Sequence, residues 1–444
     1  MAGKSVTIFT NFADSPQAYS LNRIVQCQLK MLLSHGYSVK VIVADGFVPE
    51  EIYAHKQVEI VYIPNVPVHN EVKKDETFEK DVDAIYRGLK EALLDSQVVI
   101  THDIVYQPAC LKHNFAARKL ADEMPQLRWL HWIHSATSPQ TLTNLKPHFE
   151  DAYIQMIEKP FPNSFYIFFN HYSVPRIAKN FHVPQEMVRV VHHPSDLKEI
   201  YAMSESVWSF VHKKHIYDAD AIAVYPVRLD RGKQVEYVIK TMALLKEFRL
   251  SIKVVVVDFH STGGDKLIYR DELKNVAIDY GLTFDELLFT SEGRPEWEVE
   301  VPYEDTLALM RIANVFIMPS VSESYSLITQ EAGLNKCAMV LNQDFPPFRD
   351  IFGPHATYKK YSSRWDVMAD VAEADGSTDT KYGPDSAASE ERENHEKKYH
   401  RGTAALLAEQ LNNTDNLAMS IFLRKYRNLD YIFEHEMEPL FYGK

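Results

Sequence analysis

Three cysteines are too few to staple a chain of 444 residues. Cys27, Cys110 and Cys337 stand singly in apolar surroundings with no metal-ligand spacing, which fits a reducing compartment and buried thiols. No apolar run approaches the roughly eighteen residues that a membrane helix needs. Met1-Ala-Gly-Lys-Ser leads into a strand pattern and not a signal peptide, so the expected location is cytoplasmic. Positive charge is also scarce. Lys and Arg number 48 against 61 Asp and Glu, a formal net charge of −13, which argues against a general hold on nucleic acid or anionic lipid while leaving a local contact open. No Asp-x-Asp pair stands at a strand end, so metal ligands are not expected there, nor at His131 and His134, whose spacing in a strand turns them to opposite faces.

What is present is ordinary soluble composition, 45% hydrophobic and 25% charged, in a chain long enough for two cores. Its apolar patterns alternate between strand and helix. Val6-Thr-Ile-Phe-Thr-Asn11 reads as a strand, Ser20 to His35 as a helix with Leu21, Ile24, Val25, Leu29, Leu32 and Leu33 on one face, and Tyr37 to Ala44 as the next strand. Gly36 is placed to cap that helix. The same alternation continues past residue 350, which predicts an α/β fold with doubly wound parallel sheets, one per domain.

Two stretches carry candidate chemistry. Val315 to Met318 is a short buried-strand run stopped by Pro319-Ser320. A serine-rich loop follows and ends at a helix start near Ser326, where free backbone N–H groups favour an anion. Ser324, Tyr325, Ser326 and Leu327 are the candidate phosphate-side contacts. Glu323 and Glu331 frame this loop; carboxylates repel phosphate, so they suit hydroxyl groups, and the implied ligand is both phosphorylated and polyhydroxylated. Upstream, Ala221 to Val227 reads as a buried strand ending in Arg228-Leu-Asp-Arg-Gly232-Lys233, with Gly232 expected to relieve the turn and a helix over Gln234 to Glu247. Arg228 and Lys233 then stand at a strand's C-terminal end, the edge where open α/β sheets bind ligands. Singly, each stretch is equally well read as solvated surface charge; together they describe one diphosphate site.

Val-Arg228-Leu-x-x-Gly-Lys233, followed about ninety residues later by Pro319-Ser-x-x-Glu323-x7-Glu331-Ala, resembles the nucleotide-sugar glycosyltransferases of the GT-B fold, in particular glycosyltransferase family 4. The resemblance implies two Rossmann-like domains facing across a cleft, with the ligand between them. It implies that Arg228 and Lys233 grip the donor diphosphate, that Glu323 faces the transferred sugar and that Glu331 takes the ribose hydroxyls. Thr290, at the end of Leu287-Leu-Phe, matches the edge beside the nucleotide base, and His134 a strand-end histidine that contacts the sugar. The first loop, Thr10 to Ser20, lacks the glycine pair of that family; either it approaches the phosphate through Asn11 or hydroxyl groups, or the donor sits slightly differently.

The implied reaction moves a hexose-like sugar from a nucleotide diphosphate, a UDP-sugar as first guess, to an unknown acceptor hydroxyl. Anomeric configuration is retained, and no metal or other cofactor is required. The alternatives are a catalytically silent nucleotide-sugar binder or scaffold and, on the acceptor side, a modified DNA base in place of a lipid, saccharide or small molecule. The expected domains are 1–198 and 199–420, the second with a mobile acidic insertion at about 370–400 that ends in a solvated helix, and a C-terminal helix over 421–444 crossing back to the first.

Overall fold

Strands buried on both faces need mostly apolar side chains, as in Val315–Met318 and Leu287–Phe289, and among the described residues thirteen short strands pair in parallel with their neighbours. The computed structural model describes residues 4–13, 20–64, 74, 76–135, 149–259, 266–320, 323, 325–361 and 386–443. They fall into two units, Met1–Asp196 with Tyr426–Lys444, and Leu197–Lys425. The α/β class with two doubly wound parallel sheets is therefore as the sequence pattern implied.

The first unit holds a seven-stranded sheet of β1 (Ser5–Phe9), β2 (Ser38–Ala44), β3 (Val58–Ile63), β4 (Val98–His102), β5 (Arg128–Trp132), β6 (Ser164–Phe168) and β7 (Val188–Val190). Its order is β3-β2-β1-β4-β5-β6-β7, so the winding reverses between β1 and β4. Alternation along β1 sends Phe9 to one face, with Ile85, Leu89 and Phe115, and Val6 and Ile8 to the other, with Val25, Leu29 and Leu32. Gly36, at φ +79°, closes helix Ser20–Ser34: Tyr37 N–H reaches Leu32 C=O at 2.9 Å, the bond that ends a helix on a left-handed residue.

The last segment is not one helix. Helix Asp415–Tyr426 stops, and the buried Asn428 side chain accepts from Tyr431 N–H at 2.8 Å to start a new one, Leu429–Ile432, with a π-helical turn at Phe433–Met437 and a final helix Glu438–Phe441. Ile432, Phe433, Met437, Leu440 and Phe441 pack into the first unit's core beside Leu29 and Leu32. About 25 cal/mol per Å2 of apolar burial makes these side chains a substantial part of that face.

The second unit holds β8 (Ala221–Arg228), β9 (Ile252–Phe259), β10 (Leu287–Phe289), β11 (Val315–Met318), β12 (Ala338–Asn342) and β13 (Thr357–Lys359) in the order β10-β9-β8-β11-β12-β13. Its reversal lies between β8 and β11. Asn314 ties these two strands at their start, its side chain accepting from Ile222 N–H at 2.8 Å and donating to Asp220 C=O at 2.7 Å. Backbone pairing between them then ends at Val315 opposite Ala223. Ala221 N–H points to β9 and Ile222 N–H to β11, so the missing N–H of Pro226 falls on the β11 side, where no ladder bond is lost. The two strands part toward their carboxyl ends.

Residues 362–385, most of the expected acidic insertion, lie outside the described residues. Helix Ser386–Asn413 follows and runs past the expected end of the insertion. Ala404, Leu407, Ala408 and Leu411 bury one stripe of it in the second unit's core. His400 is fully buried, with its Nδ1 2.8 Å from Thr241 Oγ1. The Lys240 ammonium pairs with Glu396 at 2.5 Å, and the hydrogen bond from His400 is the main reason the Glu396 carboxyl is lowered to about 2. Among the described residues no helix is long and apolar enough to cross a membrane.

Candidate active site

The parting of β8 and β11 leaves a cavity of about 510 Å3 at their carboxyl ends, lined by Arg228, Lys233, Glu323, Tyr325, Ser326 and Leu327 among others. Six sequence-expected residues thus meet in one place. Arg228 is the last residue of β8, about half exposed, with its Nε 3.6 Å from Asp230. The chain then makes a short 3-10 turn at Arg231–Lys233. Gly232 does not supply the left-handed residue that this turn requires; Gln234 does, at φ +49°, and helix Val235–Leu244 starts from it. Tyr225, buried in β8, donates its hydroxyl to Lys233 C=O at 3.1 Å and so pins the turn from below. Burial first, then the nearby charges of Glu323 and Glu236, push the Tyr225 phenol well above its usual range, so it remains a donor.

Lys233 Nζ is bonded to Glu323 Oε1, and both side chains are mostly buried, 18% and 15% exposed. A cation facing a cleft is here held by an internal carboxylate. Ser326 also differs from a plain N-cap. It is left-handed at φ +69°, and its hydroxyl lies 2.7 Å from Thr329 Oγ1 without accepting from a helix N–H. The first N–H groups of helix Leu327–Leu334 therefore keep no side-chain cap, and Leu327 is 66% exposed at its start. Two left-handed non-glycine residues, Gln234 and Ser326, follow the two strands that frame the cavity; such conformations persist only where the surroundings over-determine them. Val321, Ser322 and Ser324 lie outside the described residues, so the expected contact through Ser324 does too.

Glu331 sits one turn into that helix. Tyr303 donates its hydroxyl to Glu331 Oε1 at 2.6 Å, while Oε2 is buried with no partner among the described residues. A buried carboxylate oxygen without a donor costs about 1–3 kcal/mol. Thr290 is placed differently from the expectation and needs correcting. It is fully buried, its hydroxyl 3.2 Å from Asp258 Oδ1, which also accepts from Ser291 N–H at 3.0 Å, while Asp258 Oδ2 accepts from Ser291 Oγ at 2.6 Å and pairs with Lys266 at 3.3 Å. A hydroxyl closed inside this network is not available to a nucleotide base.

Residues 207–370 match the family model described as glycosyl transferases group 1. This stretch of the second unit is thus similar in sequence to the group 1 glycosyl transferases. No curated protein matches this sequence. Similar solved structures include the sucrose-phosphate synthase of Thermosynechococcus elongatus, 14% identical over 94% of this chain and 97% of that one, with a TM-score of 0.31. A trehalose-phosphate synthase (UDP-forming) of Burkholderia xenovorans, solved with glucose-6-phosphate, is 12% identical over 97% and 98% of the two chains, at 0.35. Anabaena HepE, solved with UDP and glucose, is 11% identical over 98% and 99%, at 0.32. Scores this low carry no inference. The similarity to group 1 glycosyl transferases rests on the sequence match over residues 207–370.

The first unit contains the two remaining expected residues. Asn11 follows β1, after Thr10, whose hydroxyl and N–H both reach Ile42 C=O, at 3.2 and 3.0 Å. His134 follows β5, and sequence reading did not foresee its company. His102 Nδ1, at the end of β4, lies 2.9 Å from His134 Nε2, and the His193 ring runs parallel to that of His134 with centroids 6.0 Å apart. His131, by contrast, is sealed in β5 with its Nδ1 2.8 Å from Thr101 Oγ1. Among the described residues no group of three or more His, Cys, Asp or Glu is placed to hold a metal ion.

Burial holds these imidazoles neutral. It lowers His113 to about 4, with Lys112 adding, and lowers His134 to about 3, with His193 adding; His102 and His131 are driven well below their usual value by burial first. An unfolded histidine takes up a proton near pH 6.5, so below that value the unfolded chain binds more protons than the folded one. Stability of the first unit should then be complete above about pH 6.5 and fall as pH drops through 6 toward 5, ahead of most carboxylate titration. Amide exchange followed peptide by peptide over this range should show β4 and β5 losing protection before β8 and β9. Equal loss in both units would contradict this.

Proposed function

We propose that the chain transfers a hexose-like sugar from a nucleotide diphosphate, a UDP-sugar in the first instance, to an acceptor hydroxyl. The reading further proposes that anomeric configuration is retained and that side-chain cations take the place of a metal. The observation that supports it is the convergence of Arg228, Lys233 and the uncapped helix start at Ser326 on one cavity, beside the strand reversal of a unit similar in sequence to the group 1 glycosyl transferases. Breaking a sugar–diphosphate bond builds negative charge on the departing phosphate and positive charge at the anomeric carbon. Arg228, Lys233 and the helix N–H groups suit the first, at about 1.5–3 kcal/mol for each charged hydrogen bond. Glu323 suits the second or the sugar hydroxyls, and its contact with Lys233 supports a position on the same side of the cavity.

Glu331 is assigned to the ribose. Its unpaired Oε2 is a desolvated acceptor that a ligand hydroxyl would satisfy, while Tyr303 fixes the other oxygen. Since a ribose contact is remote from the bond being broken, Glu331→Ala should weaken donor affinity by about tenfold and leave kcat within a few-fold. Equal loss in kcat would place Glu331 at the reacting centre instead. The reading as a whole is tested by incubating the protein with UDP-, GDP- and ADP-sugars and following slow donor hydrolysis, then by mass spectrometry of products from a mixed panel of saccharide, lipid, small-molecule and DNA acceptors. Tight binding without turnover of any donor would leave only a nucleotide-sugar binder.

A further inference from the structure

A hydrogen-bond chain runs through the first unit from a buried amide to a partly accessible imidazole. Gln28 Oε1, on helix Ser20–Ser34, lies 2.8 Å from His102 Nε2, and His102 Nδ1 lies 2.9 Å from His134 Nε2. Gln28 and His102 are essentially inaccessible, at 2% and 0% exposure. An amide oxygen only accepts, so His102 must carry its proton on Nε2; its Nδ1 is then bare and can only accept from His134. That fixes the proton of His134 on Nε2. His134 Nδ1, which has no hydrogen-bond partner among the described residues, is left as a lone pair.

The surroundings keep it so. His193 lies parallel to His134 and adds to the burial that disfavours a second proton. Phe169 covers both rings, at 5.5 and 4.2 Å between centroids. The nearest acid, Asp103, is already taken: it accepts from the Tyr106 hydroxyl and, at 3.4 Å, from His134 N–H. His192, which adds to the lowering of His193, is paired with Glu436 at 2.9 Å.

We propose that Gln28 and His102 are positioning residues that set the tautomer of His134, so that its Nδ1 accepts a hydrogen bond from an uncharged, hydroxyl-bearing substrate. This rests on the glycosyl-transfer reading only for the identity of that substrate, a sugar or sugar acceptor. A hydroxyl suits the site because it donates to a lone pair without bringing charge into a buried, neutral cluster. No proton changes owner; the bond orients the hydroxyl.

The test begins with histidine-selective 15N spectra of the full chain at neutral pH, His134 being assigned by the signal lost in His134→Gln. Wild type should show a protonated Nε2 and an unprotonated Nδ1, and Gln28→Leu should shift His134 toward a mixture of tautomers while Gln28→Glu, which still accepts, should not. A wild-type His134 protonated on Nδ1, or a His134 signal unmoved in Gln28→Leu, overturns the proposal. In parallel, hydrolysis of UDP-glucose or whichever donor is turned over should fall about tenfold in kcat/KM in Gln28→Leu, with donor affinity unchanged and activity restored in Gln28→Glu. Unchanged kcat/KM in Gln28→Leu would also overturn it. Absence of turnover in wild type would instead sink the transferase reading, and the spectra would still decide the tautomer.

Discussion

Replacing Lys233 by alanine should lower turnover by at least about 10²-fold, with a smaller but clear loss from Arg228→Ala. The difference follows from their settings. Lys233 is mostly buried, pinned through its carbonyl by Tyr225, and reaches the cavity as a fixed charge. Arg228 is about half exposed and shares its guanidinium with Asp230, so solvent screens part of what it offers. Removing Lys233 also leaves Glu323 as an unpaired, partly buried carboxylate, and some loss of stability is expected. Thermal melting must therefore accompany the kinetics: a folded Lys233→Ala protein at working temperature with near wild-type turnover would mean that no diphosphate lies beside this turn.

The second large effect has the opposite sign. In the structure the cavity's most buried cation is already satisfied by Glu323. A diphosphate entering the cavity must take Lys233 from that carboxylate and then tolerate it as a like charge a few ångströms away. At about 4 Å and an effective dielectric near 20, such a repulsion is of order 4 kcal/mol before screening. Glu323→Gln keeps the shape and removes the competitor. Calorimetry should then show UDP and inorganic pyrophosphate binding about tenfold or more tighter than to wild type, while turnover falls at least about 10²-fold because the carboxylate proposed to face the transferred sugar is gone. Weaker pyrophosphate binding in Glu323→Gln would show that the carboxylate does not contend with phosphate for the lysine.

These two residues show how far sequence reading extends. Local pattern was enough to find each half of the cavity: the apolar runs of β8 and β11 are strands, and the charged turn and the serine loop stand at their carboxyl ends. That Lys233 touches Glu323, ninety positions away, depends on β8 lying next to β11, and strand order is a property of the packed sheet that no periodicity carries. The histidine cluster escaped for a similar reason. His102 and His134 were each visible as strand-end residues, but only the pairing of β4 with β5, which sets His102 opposite Trp132, brings them together. Tyr303 gave no signal, since an exposed tyrosine at a helix start is unremarkable until its partner is known. Helix Ser386–Asn413 extends past the expected insertion because an apolar stripe from Ala404 to Leu411, which follows its charged early residues, docks on the second unit's core. The glycine at 232 misled too, because the strained residue of that turn is Gln234.

One feature of the fold bears on how the molecule comes into being. The face of the first sheet that carries Leu29 and Leu32 is completed by Ile432, Phe433 and Met437, which leave the ribosome after the entire second unit. Until they arrive, nascent residues 1–196 expose an oily groove along helix Ser20–Ser34, while residues 197–425 already contain everything their own sheet requires. The half made first is thus the half that matures last, completed only when the chain's final residues have been made.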